Sequence, residues 1–415
     1  MNIAIVGAGI TGISTALELA LDRHQVTVYE QMNAVAEDAS FAPGGWLSPA
    51  ATQSLATPGL GIGIKQLRTG SDLLHASRWI GSQSWQWIRQ WKKYEKRASK
   101  SQDTSLSTAL LALEQYSASL RQRSLQGAEL NTEHNHSAMV LLRSAHELAF
   151  WEAQLPLLQA NGTKTQILNV AQAQAIEPGL SQELAWQHAL HFPQAQSINP
   201  RLWAHHLRSH AQILGARFCV GAHIESISTN PTGLYCNGQF HGFDAIIICT
   251  GAHTQLLAQL GMRLPIMPIW GYSISAPVRD PLLAPRFAVM DWAQQAVITR
   301  MGQRVRISAG LEMGSRYAHS QHTATLQRMY RLLNDWFPGG VHTSSPQVQT
   351  WKGVRAYLPD GLPACGASTH HNIWLNICHG SHGTSLASGC ARAIADMVQH
   401  KQPAIDIQAL SPARF

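Results

Sequence analysis

The 415-residue chain has few charged residues: only 13% are Asp, Glu, Lys or Arg, while 45% are hydrophobic. This composition indicates a globular protein with a sparsely charged surface and excludes an intrinsically disordered one. The net charge is +7, but no dense run of Lys and Arg appears, so a nucleic-acid-binding surface is not predicted. A chain of this length is expected to form two structural lobes, each with its own core.

The chain also lacks the spacings that mark metal and redox sites. None of the six cysteines forms a CxxC pair, and none of the 21 histidines occurs in an HExxH pattern. We therefore expect no metal site and a reduced, cytoplasmic location. No apolar run reaches the roughly 18 residues of a membrane-spanning helix, and the first predicted strand begins at residue 1, which leaves no room for a signal peptide.

What is present is a nucleotide-binding unit at the N-terminus. A short buried strand is predicted over residues 1–6, the sequence Gly7-Ala8-Gly9-Ile10-Thr11-Gly12 opens a helix, and a second strand over 25–30 ends in an acid. In this context the glycines permit a tight turn, close approach of a pyrophosphate, and close packing of the helix, whose N-terminus offers free N–H groups. Glu30 is placed to bind ribose hydroxyls and would repel a 2′-phosphate. The predicted ligand is FAD or NAD rather than NADP.

Further elements predict that two domains are interleaved. Helices are predicted over 71–126, 147–161, 199–214, 323–336 and from 383 to about 399. Strands are predicted over 137–143, 216–228, 233–240, 244–251, 272–276, 296–300, 304–309 and 373–377. The expected fold class is α/β, with a Rossmann-like nucleotide-binding domain interleaved with an antiparallel-sheet substrate domain. The predicted boundaries are 1–70, 145–262 and 350–415 for the first domain, and 71–144 and 263–349 for the second.

Four segments of the chain resemble a known family. They are the N-terminal fingerprint with Glu30; the loop SFAPGGWLSP at 40–49; the stretch WKGVRAYLPDGLP at 351–363; and NICHGSHG at 376–383. With them, the chain resembles the D-amino-acid oxidase superfamily of FAD-dependent oxidoreductases, and within it the D-amino-acid dehydrogenases of the small-subunit type. The resemblance implies a glutathione-reductase-type fold like that of D-amino-acid oxidase, with bound FAD.

The resemblance also implies a set of site residues. Arg355 is expected to bind the substrate carboxylate, because a guanidinium fork matches a carboxylate with two parallel hydrogen bonds. Tyr272 and His382 are the other catalytic candidates. The expected cofactor-binding residues are Gly7, Gly9, Ile10, Thr11, Gly12, Glu30, Gln31, Ser40, Gly44, Gly45, Trp46, Leu47, Ile224, Thr250, Gly251, Arg355, His379, Gly380, Ser381, His382, Gly383 and Thr384.

The chain departs from the family pattern at several positions. Ala356 replaces a proline after the arginine, Trp270 stands where related dehydrogenases carry a lysine, and Val297 stands where glycine-oxidase relatives carry a tyrosine. Gly353 lies near the place where sarcosine-oxidase relatives attach flavin through a cysteine, so the FAD is expected to be non-covalent. His382 could contact the substrate or merely cap its turn.

The function implied is oxidation of the Cα–N bond of a D-amino acid or a secondary amino acid. A hydride would pass from Cα to the flavin, and the electrons would pass on to a quinone or an electron-transfer protein. Two alternatives stay open: a glycine or sarcosine oxidase that uses oxygen, and a catalytically silent flavin-binding subunit of a larger complex.

A peripheral membrane contact is also predicted, at the inner face of the membrane. Trp79, Trp85, Trp87 and Trp91 precede five basic residues within 92–100. Tryptophan favours the membrane interface, and Lys and Arg are attracted to anionic headgroups. The alternative is that the tryptophans pack inward while the basic side chains are simply solvated.

Overall fold

The computed structural model describes residues 1–48, 56–57, 73–76, 81–101, 105–125, 132–313 and 322–415. Within these residues the strands are β1 (Asn2–Val6), β2 (Gln25–Glu30), β3 (Trp46–Leu47), β4 (Leu74–Ala76), β5 (Asn135–Leu142), β6 (Gln166–Asn169), β7 (His188–Ser197), β8 (Arg217–Val220), β9 (Ile224–Thr229), β10 (Thr232–Cys236), β11 (Gln239–Gly242), β12 (Ala245–Ile248), β13 (Met267–Pro277), β14 (Ala288–Asp291), β15 (Ala296–Met301), β16 (Arg304–Met313), β17 (Gln349–Tyr357), β18 (Ala364–Ala367) and β19 (Ile373–Ile377). The α-helices are α1 (Ile10–Leu21), α2 (Ser82–Ser101), α3 (Ser105–Leu125), α4 (Ala145–Ala160), α5 (Val170–Ile176), α6 (Pro200–Ile213), α7 (Gln255–Gln259), α8 (Thr323–Trp336) and α9 (Gly383–Val398).

The first sheet carries the nucleotide-binding unit. Its order is β18-β19-β12-β1-β2-β8, and only the β18–β19 pair is antiparallel. All four residues of the central strand β12, and all residues of its neighbour β1 after Asn2, are apolar and buried, as is typical of strands covered on both faces. Because β1 leads into α1 while β12 and β19 end on the same edge, the turns that follow all three strands meet there.

The second sheet forms the floor of the other domain. Its order is β17-β13-β16-β15-β14-β5-β7-β3, with β4 paired to β16 and β6 paired to β7. Helix α8 covers one face of β13 and β16, where Met329, Leu333 and Trp336 are buried against Ile274 and Ile307. On the opposite face of β13, Met267 and Ile269 pack with Trp87 and Trp91 of α2.

Most of the strongly patterned elements are confirmed. The strands over 25–30 and 373–377 and the helix over 323–336 have the predicted bounds. The predicted strand 216–228 is instead two strands: β8 extends the first sheet, and β9 joins β10 and β11 in a separate three-stranded sheet. The predicted α/β class is confirmed, because the first, mainly parallel sheet and the second, largely antiparallel sheet are each built from several separate parts of the chain.

The predicted domain boundaries differ from the sheet membership. Strand β7, predicted to lie in the nucleotide-binding domain, pairs with β5 in the second sheet, next to the edge strand β3, and β17 forms that sheet's other edge. Helix α3, predicted in the substrate domain, packs on α9 instead, because Leu110 and Leu113 belong to the core of the first sheet. The local pattern of these elements does not reveal which partner they will cover.

The tryptophans of α2 bear on the predicted membrane contact. Trp87 and Trp91 are 2% and 0% exposed, in a cluster with Met267, Ile269 and Tyr357, so they pack inward. Trp85 is 38% exposed, and Trp79 lies outside the described residues. Among the helices that the structure describes, none is long and apolar enough to cross a membrane.

Candidate active site

The glycine turn after β1 is packed so tightly that neither Gly7 nor Gly12 could carry a side chain. Gly7 has φ +103°, and a Cβ there would lie 2.6 Å from the carbonyl oxygen of Cys249. A Cβ on Gly12 would lie 1.9 Å from the carbonyl oxygen of Gly7. The first turn of α1 is therefore held directly against the end of β1, and its N-terminal amides border the cleft.

Polar side chains join the neighbouring loops to this turn. The Glu30 carboxylate accepts hydrogen bonds from the backbone N–H groups of Ala8, at 2.7 Å, and Met32, at 2.9 Å. The Ser40 hydroxyl oxygen accepts one from the N–H of Ile10 at 2.9 Å. An ionised carboxylate has about four acceptor positions, so Glu30 can still accept hydrogen bonds from a ligand's hydroxyl groups.

A cavity of about 540 Å³ runs along the edge where β1, β12 and β19 end. Among the predicted site residues, those that line it are Gly7, Gly9, Ile10, Thr11, Glu30, Gln31, Ser40, Ile224, Thr250, Gly251, Arg355, His379, Gly380, Ser381, Gly383 and Thr384. The predicted residues outside this lining are Gly12, Gly44, Gly45, Trp46, Leu47, Tyr272 and His382. The cavity thus joins the N-terminal fingerprint to the C-terminal turn, which are more than 360 residues apart in the chain.

Arg355 projects from the face of the second sheet that is not covered by α8. Its guanidinium lies directly over Gly271 of the neighbouring strand: a Cβ built on Gly271 would be only 2.4 Å from the Arg355 Cζ. Within the part of the chain that the structure describes, the guanidinium makes no hydrogen bond or ion pair. A half-buried cation with no protein partner at a cavity wall is suited to binding an anionic ligand group.

Tyr272 requires a correction. Successive residues of a strand point to opposite faces, so Tyr272 faces away from Gly271 and Arg355. Its ring is 1% exposed, in the core beneath α8, and its hydroxyl donates a hydrogen bond to the Glu312 carboxylate. Burial and this carboxylate raise the pKa of Tyr272. The tyrosine therefore does not contact the cavity, and we withdraw it from the catalytic set.

The turn between β19 and α9 forms the far wall of the cavity. Gly380 has φ +54° and lies against the Tyr357 ring, where a Cβ would be 2.5 Å from a ring carbon. The Tyr357 and Ser381 hydroxyl oxygens are 2.5 Å apart. Burial, and to a smaller extent the nearby His382, lowers the pKa of His379 to about 3, which favours the neutral imidazole. Its Nε2 atom is buried and has no hydrogen-bond partner among the described residues.

Hydrogen bonds and close backbone packing hold the loop before β3 against the second sheet. The Thr299 hydroxyl donates to the carbonyl oxygen of Gly44 at 2.9 Å, and the Arg306 guanidinium donates to that of Pro43 at 3.2 Å. A Cβ at Gly45 would lie 2.0 Å from the carbonyl oxygen of Ile198. These contacts fix the predicted flavin loop, of which Pro49 lies outside the described residues, to the floor of the second domain.

One pair of site residues was missed by the sequence analysis. Asp38 and His253 both line the cavity, and His253 Nε2 lies 3.4 Å from the Asp38 carboxylate. The hydrogen bond with Asp38 raises the pKa of His253. No pattern in the sequence relates these residues, because they lie 215 positions apart in two loops.

The comparisons with known proteins agree with this geometry. The model of the DAO family, described as FAD dependent oxidoreductase, matches residues 2–397. The chain belongs to this family. It is 28% identical to the D-amino acid dehydrogenase of Bradyrhizobium diazoefficiens over 422 residues, covering 100% of this chain and 99% of the relative. A D-amino acid dehydrogenase of Rhizorhabdus wittichii is also 28% identical, with 100% of both chains covered.

Solved structures show the same fold. Glycine oxidase from Geobacillus kaustophilus superposes with a TM-score of 0.77 at 20% identity, covering 100% of this chain and 98% of that chain. L-proline dehydrogenase from P. horikoshii superposes with a TM-score of 0.74 at 17% identity, covering 100% and 97%. At these identities the likeness concerns the fold alone.

The residues of this flavoprotein-family member fit FAD. Gly7 and Gly9 line the cavity without side chains, which leaves room for a pyrophosphate at the N-terminus of α1, and Glu30 lines the same cavity, where a ribose can reach it. The buried, unpartnered His379 Nε2 at the other end of the cavity requires a polar partner, which the polar edge of a flavin ring can supply.

Proposed function

We propose that the protein oxidises the Cα–N bond of a D-amino acid or a secondary amino acid, with FAD as a non-covalent cofactor. The observation that carries the proposal is the placement of Arg355: its guanidinium has no hydrogen-bond or ion-pair partner among the described residues, and it lines the same cavity as the turn at Gly380. It can hold a substrate carboxylate by two hydrogen bonds and so fix the position of the adjacent Cα.

Bound FAD supplies the acceptor for two electrons and the Cα hydrogen, which leave the substrate together as a hydride. The amine loses one proton as the C=N bond forms, and the imine takes up water to give a 2-oxo acid and ammonia, or stays cyclic when the substrate is a proline derivative. The chain contributes position and charge: Gly383 and Thr384 bring the N-terminus of α9 to the cavity wall. A helix N-terminus favours the negative charge that reduction places on a flavin.

The test is a turnover screen of the FAD-loaded protein with D-amino acids, proline derivatives, glycine and sarcosine, using an artificial electron-accepting dye. Arg355→Ala should lower kcat/KM about 10²–10⁴-fold while FAD content stays normal, because the loss of a carboxylate's partner in a desolvated site costs several kcal/mol. Hydrogen peroxide formed at the rate of substrate loss would favour an oxygen-using oxidase. No turnover of any amino acid by the FAD-loaded wild type would refute the proposal.

We further propose that the electrons pass to a membrane quinone and that α2 contacts the anionic membrane surface. Since Trp87 and Trp91 face inward, the contact must rest on charge: Arg89, Lys93 and Lys96 are exposed at i, i+4 and i+7, on one face of the helix. Each basic residue near an anionic bilayer contributes about 1 kcal/mol at low salt.

Flotation with vesicles of phosphatidylglycerol and phosphatidylcholine tests this contact. Wild type should float with the anionic vesicles at low salt, and reversal of Arg89, Lys93 and Lys96 to Glu should abolish flotation without changing dye reduction. The matched control reverses three exposed cations elsewhere, Lys164, Arg217 and Lys401. If both triple variants lose flotation equally, the binding depends on the net charge of the protein and not on α2. If the wild type does not float, the contact is excluded.

A further inference from the structure

Two glycines face each other directly beneath the proposed carboxylate site. Gly271 in β13 and Gly353 in β17 are partners in the strand register. The Arg355 guanidinium occupies the space above Gly271, and the Trp351 ring occupies that above Gly353, where a Cβ would lie 1.6 Å from a ring carbon. A side chain at either position would displace the group that lies over it. Glycine in a strand weakens the pairing, because it packs no side chain and loses more backbone freedom on folding.

The opposite face of the same strands carries a buried charged cluster. Tyr272 and Lys352, each next to one of the glycines, are themselves partners in register. The Lys352 Nζ lies 3.0 Å from the Glu312 carboxylate, with side chains 3% and 10% exposed, and the Tyr272 hydroxyl donates to the same carboxylate. The lysine Nζ is also 5.0 Å from the centre of the Trp270 ring. The cluster therefore ties together β17, β13 and β16 directly behind the glycine pair.

A buried ion pair is a poor device for stability alone. Removing two charges from water costs about as much as their attraction returns, and an apolar pair of similar volume is often as stable or more so. What an ion pair adds is a fixed geometry, since its partners tolerate few alternative arrangements. Here the ion pair lies next to Gly271 and Gly353, where β13 and β17 have no side chains on the other face to set their relative position.

We propose that Lys352 and Glu312 are positioning residues: by locking β17 onto β13 and β16 from behind, they hold the Arg355 guanidinium over Gly271 in the geometry that binds a carboxylate. This inference rests on the role of Arg355 in the proposed function. It concerns the side chains behind the sheet, which touch neither substrate nor cofactor.

The readout is carboxylate discrimination: the dissociation constant of propionamide divided by that of propionate, each measured from the change in flavin absorbance of the FAD-loaded protein. The two probes share one shape and differ in the group that Arg355 would bind. Lys352→Met should lower this ratio about tenfold while FAD content stays normal. The matched control is Arg143→Met, which breaks the Arg143–Asp291 pair at the far side of the same sheet; it should lower the melting temperature and leave the ratio unchanged.

Relocating the lysine gives the decisive variant. Trp270 lies directly opposite Glu312 in the register of β13 and β16, so a lysine at position 270 can reach the same carboxylate from the neighbouring strand. The double variant Trp270→Lys, Lys352→Gly should restore the discrimination ratio to within about threefold of wild type. A merely stabilising role would restore the melting temperature alone.

Several outcomes would overturn the inference. A Lys352→Met protein that discriminates within twofold of wild type would do so, as would a relocated lysine that restores melting temperature but not discrimination. If Lys352→Met does not fold, Glu312→Gln and the double variant provide the same comparison. If the wild type binds propionate and propionamide equally, both the carboxylate role of Arg355 in the proposed function and this inference are refuted. If the wild type discriminates between the two probes and every variant of Lys352 and Glu312 discriminates equally well, only this inference is refuted.

Discussion

Gly271→Ala is the smallest change that should separate the fold from the carboxylate site. The added Cβ would lie 2.4 Å from both Cζ and one terminal nitrogen of Arg355, and 2.7 Å from the other nitrogen. Ordinary van der Waals contact begins at 3.4 Å, so the guanidinium must retreat by at least 1.0 Å. Because it is the end of a flexible side chain, it can move without disturbing the strand.

The size of the effect follows from the hydrogen bonds that the displaced guanidinium can no longer make. A hydrogen bond to a charged group contributes about 1.5–3 kcal/mol, and a 1 Å displacement removes the bidentate geometry. We therefore expect kcat/KM to fall roughly 10–150-fold. Gly271 lies in extended backbone, where Ala costs less conformational entropy than Gly, so the melting temperature should stay level or rise slightly.

The assay is dye reduction with the best substrate of the screen, together with carboxylate discrimination. Gly242→Ala serves as the control, because the nearest atom to a Cβ there is 3.7 Å away, in the separate three-stranded sheet. If Gly271→Ala kept kcat/KM within twofold of wild type while Arg355→Ala lost activity, the guanidinium would not act from the position over Gly271 and the reasoning would be refuted.

Two further predictions concern the cofactor and the fold. Glu30→Ala should weaken FAD binding by about 1–3 kcal/mol, since the carboxylate accepts two backbone hydrogen bonds and faces the cavity; flavin fluorescence on dilution measures the release, and unchanged retention would exclude a ribose contact. Glu177→Gln should abolish a pH dependence of stability. Burial raises the pKa of Glu177 to about 7, so the folded protein favours the neutral carboxyl. The stability that this carboxyl contributes is fully present below about pH 4.5 and is lost as the pH rises through 7. The wild type should therefore melt progressively below the variant between pH 5 and 8, by up to roughly 3 kcal/mol in unfolding free energy, and parallel melting curves would contradict this.

The sequence predicts the parts of the fold whose signals are local. The first strand, the glycine turn and the acid at position 30 lie within thirty residues, and together they predict one structure, a strand–turn–helix nucleotide-binding unit. Strand β7 could not be recognised because HALHFPQAQS contains polar residues and a proline in place of an apolar run. Its place in the second sheet is set by pairing with β5, about 50 residues earlier in the chain. Its assignment depends on tertiary pairing, which no local pattern encodes.

The candidate site shows the same limit at the level of single side chains. Tyr272 and Gly271 are adjacent in the sequence, but the two-residue period of a strand places them on opposite faces, and only the paired strands show which face meets the cavity. Trp87 and Trp91 likewise could face a membrane or a core; the structure shows them in a core because Tyr357 and Ile269 complete it. The glycines at 271 and 353 were the available signal, since glycine within a strand often marks a close approach.

The path of the chain explains how the proposed carboxylate site at Arg355 keeps a fixed position relative to the turn at Gly380, which is proposed to contact the flavin. After Arg355, β17 ends at Tyr357, and the chain returns to the first sheet through β18 and β19 before it reaches Gly380. The Tyr357 ring then packs on Gly380, and its hydroxyl meets that of Ser381. Because Tyr357 is two residues from Arg355 on the same face of β17, any displacement of the turn at the flavin is transmitted to the strand that carries the arginine. A side chain at Gly380 would force the ring away, so Gly380→Ala should impair FAD binding and carboxylate discrimination together, whereas Gly271→Ala should impair discrimination alone.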